Sequence, residues 1–515
     1  MRKALATLLV GDVQLTNNNK PGHAKGKISF SKGNGSAGIN KQMTMEDEMK
    51  IAEQGIAATH YYVKFIPKNE ADYNKLKMDS LLTTYPFPLD NEQTQYSGSY
   101  RDPGVSAGLP TYQYAAVPVG YKLPNVPYQK LEDLFIPDER DRNNTVNVMG
   151  AQGFSYSVSA QELAIYSECL PHIEYQMIDG IEVAVEVNSC DNYSNPPPPI
   201  DPHRYGKDWR PHGRITLYDD TKQQTIGVEG IKVRARRWFT TYTGITDVNG
   251  YYAVDGWYTR PANYWLDFER YDFSVNDHRG GPREISGPKQ EAAWNLELTG
   301  YDKFCGEIFR AAHHYYYRDI QGLRRPPMNS FWATQVKIAA FDWYENADNG
   351  DMWAGRNLLL GSLIHIYHPQ QSSQDTYATT IHELAHAVHW DMSSPVIPPF
   401  LTTYGQSDTR VAETWATGVQ WYLTKMEYPN YKGRINYPGN YTNPIIDLVD
   451  GPGLENFGHG TFFPTDQVVG YSMIQIQESL RNQKTFIAWK NNLINNYEND
   501  TEQYVSTLFD YWGNY

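Results

Sequence analysis

The chain is predicted to be a multidomain α+β protein, and three features of the sequence support this fold class. Its 515 residues exceed what one hydrophobic core ordinarily organises, so two to four domains are expected. A run of four prolines at Asn195–Pro199 marks a stiff boundary within the chain. After this boundary, short alternating segments typical of strands come first and long amphipathic segments follow, which is the order of an α+β fold.

The part of the chain before the prolines is predicted to contain a mobile segment and small domains. Residues 1–50 are rich in Asn, Gly, Lys and Ser, so a mobile N-terminal segment is expected. It opens with two basic residues and the apolar run Ala4–Val10, which resembles a short export signal without a convincing cleavage site. Residues 51–190 are predicted to form one or two small α+β or β domains of unknown role, with strands at His60–Ile66 and Gly180–Val187.

Residues 191–210 are the Pro-rich linker, and residues 211–298 are predicted to be an all-β module. Four short strands are predicted there: Arg214–Tyr218, Gly230–Ala235, Gly250–Val254 and Tyr264–Phe268. The order Gly-Ile-Lys-Val-Arg-Ala, Thr-Asp-x-Asn-Gly-Tyr-Tyr and Tyr-Trp-Leu-Asp-Phe resembles the transthyretin-like β-sandwich found beside carboxypeptidases and in bacterial surface proteins. The resemblance implies an accessory or spacer module without catalytic residues.

The segment 299–515 carries the pattern H-E-x-x-H at His382, Glu383 and His386, within a helix predicted over Thr376–Trp390. Residues four apart on a helix lie on one face about 5–6 Å apart, so both imidazoles can reach one ion. Glu383 lies one position along, where its carboxylate can reach a metal-activated water rather than the metal. The pattern therefore predicts a zinc site with two histidine ligands and an adjacent general base.

A third ligand is expected from the next predicted helix, Val411–Met426. Glu413 is an acid within a mostly apolar stretch of this helix, where a carboxylate is costly without a partner such as a metal. Asp408, just before the helix, and Asp391 remain alternatives. No set of four Cys or His ligands is evident, so a structural zinc site is disfavoured and a catalytic site with one open position is favoured.

The four residues of this pattern resemble the active site of gluzincin-type zinc metallopeptidases. The resemblance implies a zincin-like catalytic domain over 299–515 that holds one Zn²⁺ per chain. It also implies hydrolysis of peptide bonds in a protein or peptide substrate by a metal-activated water, with Glu383 as the general base. Together with the transthyretin-like module, it is similar to secreted or surface bacterial peptidases.

A peptidase of this kind needs a donor that stabilises the tetrahedral oxyanion, typically a Tyr or His from another segment. His459 lies between two glycines, which suits an exposed imidazole on a loop. Tyr471, at the start of a helix predicted over Gln467–Arg481, is a second candidate, although burial in the core is an alternative for it. Tyr404 is a third candidate.

Charge and hydropathy limit the partners. The net charge of −14, with no basic stripe, argues against nucleic-acid binding. No run approaches the ~20 apolar residues of a membrane span. A monomer is expected. The acidity, the few cysteines, the Pro-rich spacer and the β module favour export to the bacterial cell envelope or the extracellular medium. The alternative function is a non-catalytic zincin-fold surface protein that binds glycans or host proteins, against which the intact Glu383 argues.

Overall fold

The computed structural model shows a mixed α+β protein with several separate sheets, and most of its helices lie in the C-terminal half. The mobile segment predicted at residues 1–50 and linker residues 191–208 lie outside the part of the chain that the structure describes. The described residues are 58–79, 81–89, 97–98, 101–106, 109–134, 136, 145–149, 155–159, 172–178, 181–187, 209–237, 239–258, 261–277, 281–329, 335–341, 350–352, 364–367, 372–393, 404–433, 442, 444–449 and 467–513.

Within its described residues, the N-terminal region is a small sheet with one helix, followed by two hairpins. Its elements are β1 (His60–Phe65), α1 (Glu70–Met78), β2 (Ser97–Gly98), β3 (Gln113–Pro118), β4 (Tyr128–Leu134), β5 (Thr145–Met149), β6 (Ser155–Ser159), β7 (His172–Ile178) and β8 (Ile181–Val187). The strand β1 is central and pairs antiparallel with β3 and β4, while β5–β6 and β7–β8 are hairpins. The strands predicted at His60–Ile66 and Gly180–Val187 are confirmed, as β1 and β8.

The all-β region folds into two sheets that pack face to face. Its strands are β9 (His212–Asp219), β10 (Gln224–Gly227), β11 (Lys232–Arg237), β12 (Thr240–Ile245), β13 (Tyr251–Ala253), β14 (Ala262–Asp267), β15 (Phe273–Asp277), β16 (Glu284–Gln290) and β17 (Trp294–Leu298). One sheet has the order β10-β9-β13 with β17 also paired to β9, and the other has the order β12-β11-β14-β16-β2. Tyr264 of the second sheet contacts Tyr252 and Trp294 of the first, at ring-centroid distances of 6.4 Å and 5.5 Å. All four predicted strands are present.

The C-terminal region is a four-stranded sheet with seven described helices. Its elements are α2 (Gly300–Tyr317), β18 (Val336–Phe341), β19 (Gly350–Met352), β20 (Ile364–Tyr367), α3 (Ser373–Ser393), α4 (Thr409–Glu427), α5 (Pro444–Val449), α6 (Met473–Leu480), α7 (Phe486–Asn496) and α8 (Glu502–Gly513). The sheet order is β15-β18-β20-β19, in which β19 is the antiparallel edge strand. No helix within the described ranges combines the length and apolar character needed to cross a membrane.

The all-β region and the C-terminal region share one core. The strand β15 lies between β14 and β16 in the sequence, yet it pairs in parallel with β18, with Phe273 beside Val336. One cluster of buried apolar side chains extends from Ile215 to Trp512. The domain boundary predicted at residues 298/299 therefore crosses a continuous sheet and a continuous core.

The turn after β9 also supplies the first hydrogen bonds of α3. The backbone N–H of Ser373 donates to Asp220 Oδ1 at 2.8 Å, and the N–H of Gln374 donates to Thr221 Oγ1 at 3.3 Å. The first N–H groups of a helix have no partner within the helix, so these side chains act as caps. The β-sandwich thereby fixes where α3 begins.

A buried ion network connects α2 to both neighbours. Arg310 donates to Glu307 at 2.6 Å and to Glu427 of α4 at 2.7 Å. Arg318 donates to the same Glu427 at 2.9 Å and to Glu229 of the sandwich at 2.6 Å. A buried charge is tolerated only when it is paired. These acidic partners therefore allow α2 to pack in the interior.

Two predicted elements differ from the structure at their ends. The helix predicted over Gln467–Arg481 is wrong at its start, because α6 begins at Met473. Gly470 adopts a positive φ of 85°, and the Ser472 side chain accepts from the N–H of Gln475 as the N-cap of α6. The apolar run Leu358–Ile366 also predicts a strand; its residues 364–366 belong to β20, and residues 358–363 lie outside the described part of the chain.

Candidate metal centre

The helix α3 carries His382 and His386 on one face, with Glu383 on the same turn, and is buried through most of its length. Ile381, Leu384 and other apolar residues on its remaining faces are fully buried. These apolar residues hold the helix rigidly, so the histidine pair is presented from a fixed backbone. The helix predicted over Thr376–Trp390 is confirmed. The observed helix α3 begins three residues earlier and ends three residues later.

The helix α4 brings Glu413 to the two histidines. Its start is fixed by Asp408, whose side chain accepts from the N–H of Arg410 at 2.9 Å. Two residues after Glu413, the fully buried Trp415 donates its indole N–H to the backbone carbonyl of Ala385 at 3.1 Å. This bond joins α4 to α3 immediately beside His386, so the register between the helices is set next to the cluster.

Three ligand atoms converge between the helices. Nε2 of His382 lies 3.1 Å from Oε2 of Glu413, Nε2 of His386 lies 3.4 Å from the same oxygen, and the two Nε2 atoms are 3.2 Å apart. Ligands at about 2.0–2.1 Å from a tetrahedral zinc ion are separated from one another by about 3.3 Å. The three observed distances match the edges of such a tetrahedron. Among the described side chains, this is the one group of three that could hold a metal ion.

A cation is compatible with every contact in the cluster. Nδ1 of His382 lies 3.1 Å from Oε1 of Gln420. With this oxygen as the acceptor, the proton of a neutral His382 ring is on Nδ1, and Nε2 has the lone pair that a metal needs. A cation among the three ligand atoms would then make the contacts of Nε2 with His386 and Glu413 favourable.

The pKa values of the three residues in the cluster shift in different directions. Burial, with the neighbouring His386, lowers the pKa of His382 although Glu413 opposes the change. Burial would also lower the pKa of His386, but the Glu413 carboxylate outweighs it and the pKa of His386 is raised. Burial opposes ionisation of Glu413, yet the two histidines hold its pKa well below the usual range. The carboxylate is therefore ionised, and the histidines share at most one proton.

Glu383 lies against the edge strand of the sheet. Its side chain is 6% exposed, and β19 approaches it closely at Gly350. A Cβ atom built on Gly350 would come within 3.0 Å of both Cγ and Oε1 of Glu383 and within 2.9 Å of Thr379 Cγ2. A larger residue at this position would crowd Thr379 and Glu383, so glycine allows the edge strand to approach the carboxylate.

The other acids and the nearby histidine have different roles. Asp408 caps α4, as described above, and Asp391 pairs with Arg324 at 2.7 Å. His389 is buried at 1% exposure, and burial together with the nearby His386 lowers its pKa to about 3. The structure therefore places Glu413 in the cluster and the two alternative acids elsewhere.

Of the three candidate oxyanion donors, the structure describes Tyr404 and Tyr471. Tyr471 is 1% exposed in the core just before α6, where its backbone N–H donates to the Leu448 carbonyl at 2.9 Å. His459 lies outside the described residues. Tyr404 begins a short 3₁₀ turn, Tyr404–Gln406. The assignment of this donor stays a prediction.

Sequence reasoning missed three residues around the cluster: Gly350, Gln420 and Tyr431. Gln420 follows Glu413 by seven positions, or two helical turns, so its presence on the same face of α4 could have been inferred. Tyr431 follows the end of the helix and Gly350 belongs to a distant strand. Their proximity depends on tertiary structure, for which the local sequence carries no signal.

Comparisons of the chain with protein-family models, with curated proteins and with solved structures find no match in any of the three. The resemblances to gluzincins and to transthyretin-like sandwiches therefore rest on the motif residues named above and stay predictions.

Proposed function

We propose that the chain is a zinc-dependent hydrolase of peptide bonds, with His382, His386 and Glu413 as metal ligands and Glu383 as the general base. The observation that carries the proposal is the convergence of three ligand atoms at 3.1, 3.2 and 3.4 Å from one another, with a second carboxylate on the same helical turn. The tetrahedral spacing supports it, and so does the ionised Glu413 carboxylate, with which a cation would pair.

The donor set indicates which metal would be bound. Two imidazoles and one carboxylate are the protein ligands of a common class of catalytic zinc sites, which leaves a fourth position open. A zinc ion held there would lower the pKa of a coordinated water towards about 7 and polarise the scissile carbonyl. The three side chains are mostly buried, which strengthens their electrostatic interaction with a bound cation.

Glu383 would transfer the proton, and the adjacent strand β19 would position the substrate. Glu383 would take the proton of the attacking water and pass it to the leaving nitrogen, a role that contributes typically 10²–10⁴ in rate. Among the described strands, β19 is paired only on its β20 side. An extended peptide could add to the other side of β19 and lie beside Glu383, which favours a peptide as the substrate.

The proposal is tested with the wild type and three variants: Glu383→Gln, Glu413→Gln and, as a matched control, Glu132→Gln on exposed β4. Elemental analysis measures bound zinc, and a fluorescence-quenched peptide library measures hydrolysis. We expect about one zinc per wild-type chain, retained in Glu383→Gln with hydrolysis reduced at least 100-fold. Zinc should be lost or weakened in Glu413→Gln, and the control should match the wild type.

Two outcomes would contradict this assignment. A wild type that takes up no zinc after resupply would exclude the metal site. Zinc binding without hydrolysis of any library peptide would instead favour a surface protein that keeps the fold for binding. Export to the cell envelope stays a separate proposal, which detection of the chain in cell fractions would test.

A further inference from the structure

The helix α4 contacts both ring nitrogens of His382. Glu413 faces Nε2 with its Oε2 at 3.1 Å, and Gln420 faces Nδ1 with its Oε1 at 3.1 Å. The two residues are seven positions apart, which places them two turns apart on one face of the helix. The imidazole is therefore held between two oxygens of the same rigid element, one on each side.

A second hydrogen bond holds the Gln420 amide in place. Its Nε2 donates to the hydroxyl of Tyr431 at 2.8 Å, and its amide oxygen faces His382. Tyr431 is held in a turn just after α4, where its backbone N–H donates to the carbonyl of Tyr428 at 2.8 Å. Gln420 and Tyr431 are 4% and 7% exposed, so water competes little for these bonds.

An acceptor at Nδ1 decides which nitrogen of a neutral imidazole carries the proton. With the proton on Nδ1, the lone pair is on Nε2, which is the atom that faces His386 and Glu413. Partners of this kind orient metal-binding histidines and raise their basicity, and their loss typically weakens metal binding 10–100-fold.

We infer that Gln420, oriented by Tyr431, is a positioning residue that holds His382 in the Nδ1–H tautomer and so sets the affinity of the site for zinc. The inference rests on the proposed metal site.

The test compares zinc affinities, measured at one pH by competition with a chromogenic chelator. Gln420→Met keeps the volume and removes the acceptor, whereas Gln420→Glu keeps an acceptor at Nδ1. The matched control is Gln477→Met, because Gln477 is a glutamine of α6 that is 3% exposed and has its own hydrogen bonds to Arg324 and Glu478. Urea unfolding of each variant shows whether a change in zinc affinity comes from unfolding of the protein or from the loss of the hydrogen bond at Nδ1.

We expect Gln420→Met to bind zinc about 10–100-fold more weakly, with Gln420→Glu and Gln477→Met within about threefold of the wild type. In ¹⁵N spectra of the zinc-loaded wild type, His382 should show a protonated Nδ1 and a metal-bound Nε2. This spectrum tests the tautomer of His382 even if Gln420→Met fails to fold.

Three outcomes would overturn the inference. They are an unchanged affinity in folded Gln420→Met, an equal loss in Gln420→Glu, and metal bound at Nδ1 of His382. These outcomes would leave the peptidase proposal intact. A wild type that binds no zinc would remove both proposals together.

Discussion

Replacing Arg310 with methionine should lower the free energy of unfolding by about 3–5 kcal/mol, the range found when one partner of a buried ion pair is removed. Arg310 is 7% exposed, with Glu307 at 2.6 Å, Glu427 at 2.7 Å and Asp219 at 3.6 Å. Methionine fills much of the space but leaves three carboxylates without their shared cation.

The pKa of Glu427 gives a second route to the same magnitude. Burial opposes ionisation of this carboxyl, but Arg310, Lys222 and Arg318 lower its pKa from 4.5 to about 2. At about 1.4 kcal/mol per pKa unit, this corresponds to about 3 kcal/mol of stability shared among these cations. A lowered acid pKa stabilises the fold above pH 4.5, and that stability is lost as the pH falls towards 2.

The assay is urea unfolding of the full chain at pH 7, followed by tryptophan fluorescence. The matched control is Arg324→Met, because Arg324 also pairs with one carboxylate, Asp391, at 2.7 Å, but its side chain is 40% exposed. An exposed pair contributes about 0–1 kcal/mol, so the control should change little. Equal losses in Arg310→Met and Arg324→Met would refute the reasoning, because burial would then not govern the effect.

Three further predictions concern the buried acid Glu284, the contact between α3 and α4, and the core that the all-β and C-terminal regions share. Burial and nearby Asp267 raise the pKa of Glu284 from 4.5 to about 8, so the stability falls as the pH rises from 4.5 to 8. Glu284→Gln should remove this fall and gain about 5 kcal/mol at pH 9, at about 1.4 kcal/mol per pKa unit, and parallel melting profiles of variant and wild type from pH 5 to 9 would contradict it. Trp415→Phe should cost about 1–3 kcal/mol in urea unfolding, because it removes a buried hydrogen bond and leaves a gap; an unchanged midpoint would show that the indole N–H contributes nothing. A fragment of residues 299–515 should show no cooperative unfolding whereas 209–515 should, because only the longer fragment contains β15; cooperative unfolding of the shorter one would refute the shared core.

The histidine pair could be predicted from the sequence because its geometry is local. On any α-helix, residues four apart face the same side, so His382 and His386 needed only the helix to be correct. Glu413 could be predicted for a different reason, since an acid in an apolar helix needs a partner. The separation of 31 residues from His382 is not local, and only the placement of α4 against α3 brings the two together.

The domain boundary was harder to predict because strand pairing is not a local property. β15 has the alternating character of any short strand, and nothing in its residues shows that it pairs with Val336 in another sheet rather than with β14. Likewise, Asp220 and Thr221 have the sequence of an ordinary turn after β9. Their role as caps of α3 becomes visible only when the two segments are in contact.

These non-local contacts explain why the three ligand atoms already lie at tetrahedral distances. The helix α3 is fixed at its start by Asp220, beside its second histidine by the bond from Trp415 to Ala385, and at its first histidine by Gln420. None of these contacts uses the atoms that would bind the metal. A site held in this way loses little conformational freedom on binding, so more of the intrinsic ligand affinity is retained. The sandwich therefore contributes to the metal site through the helix that it caps, although it supplies no ligand.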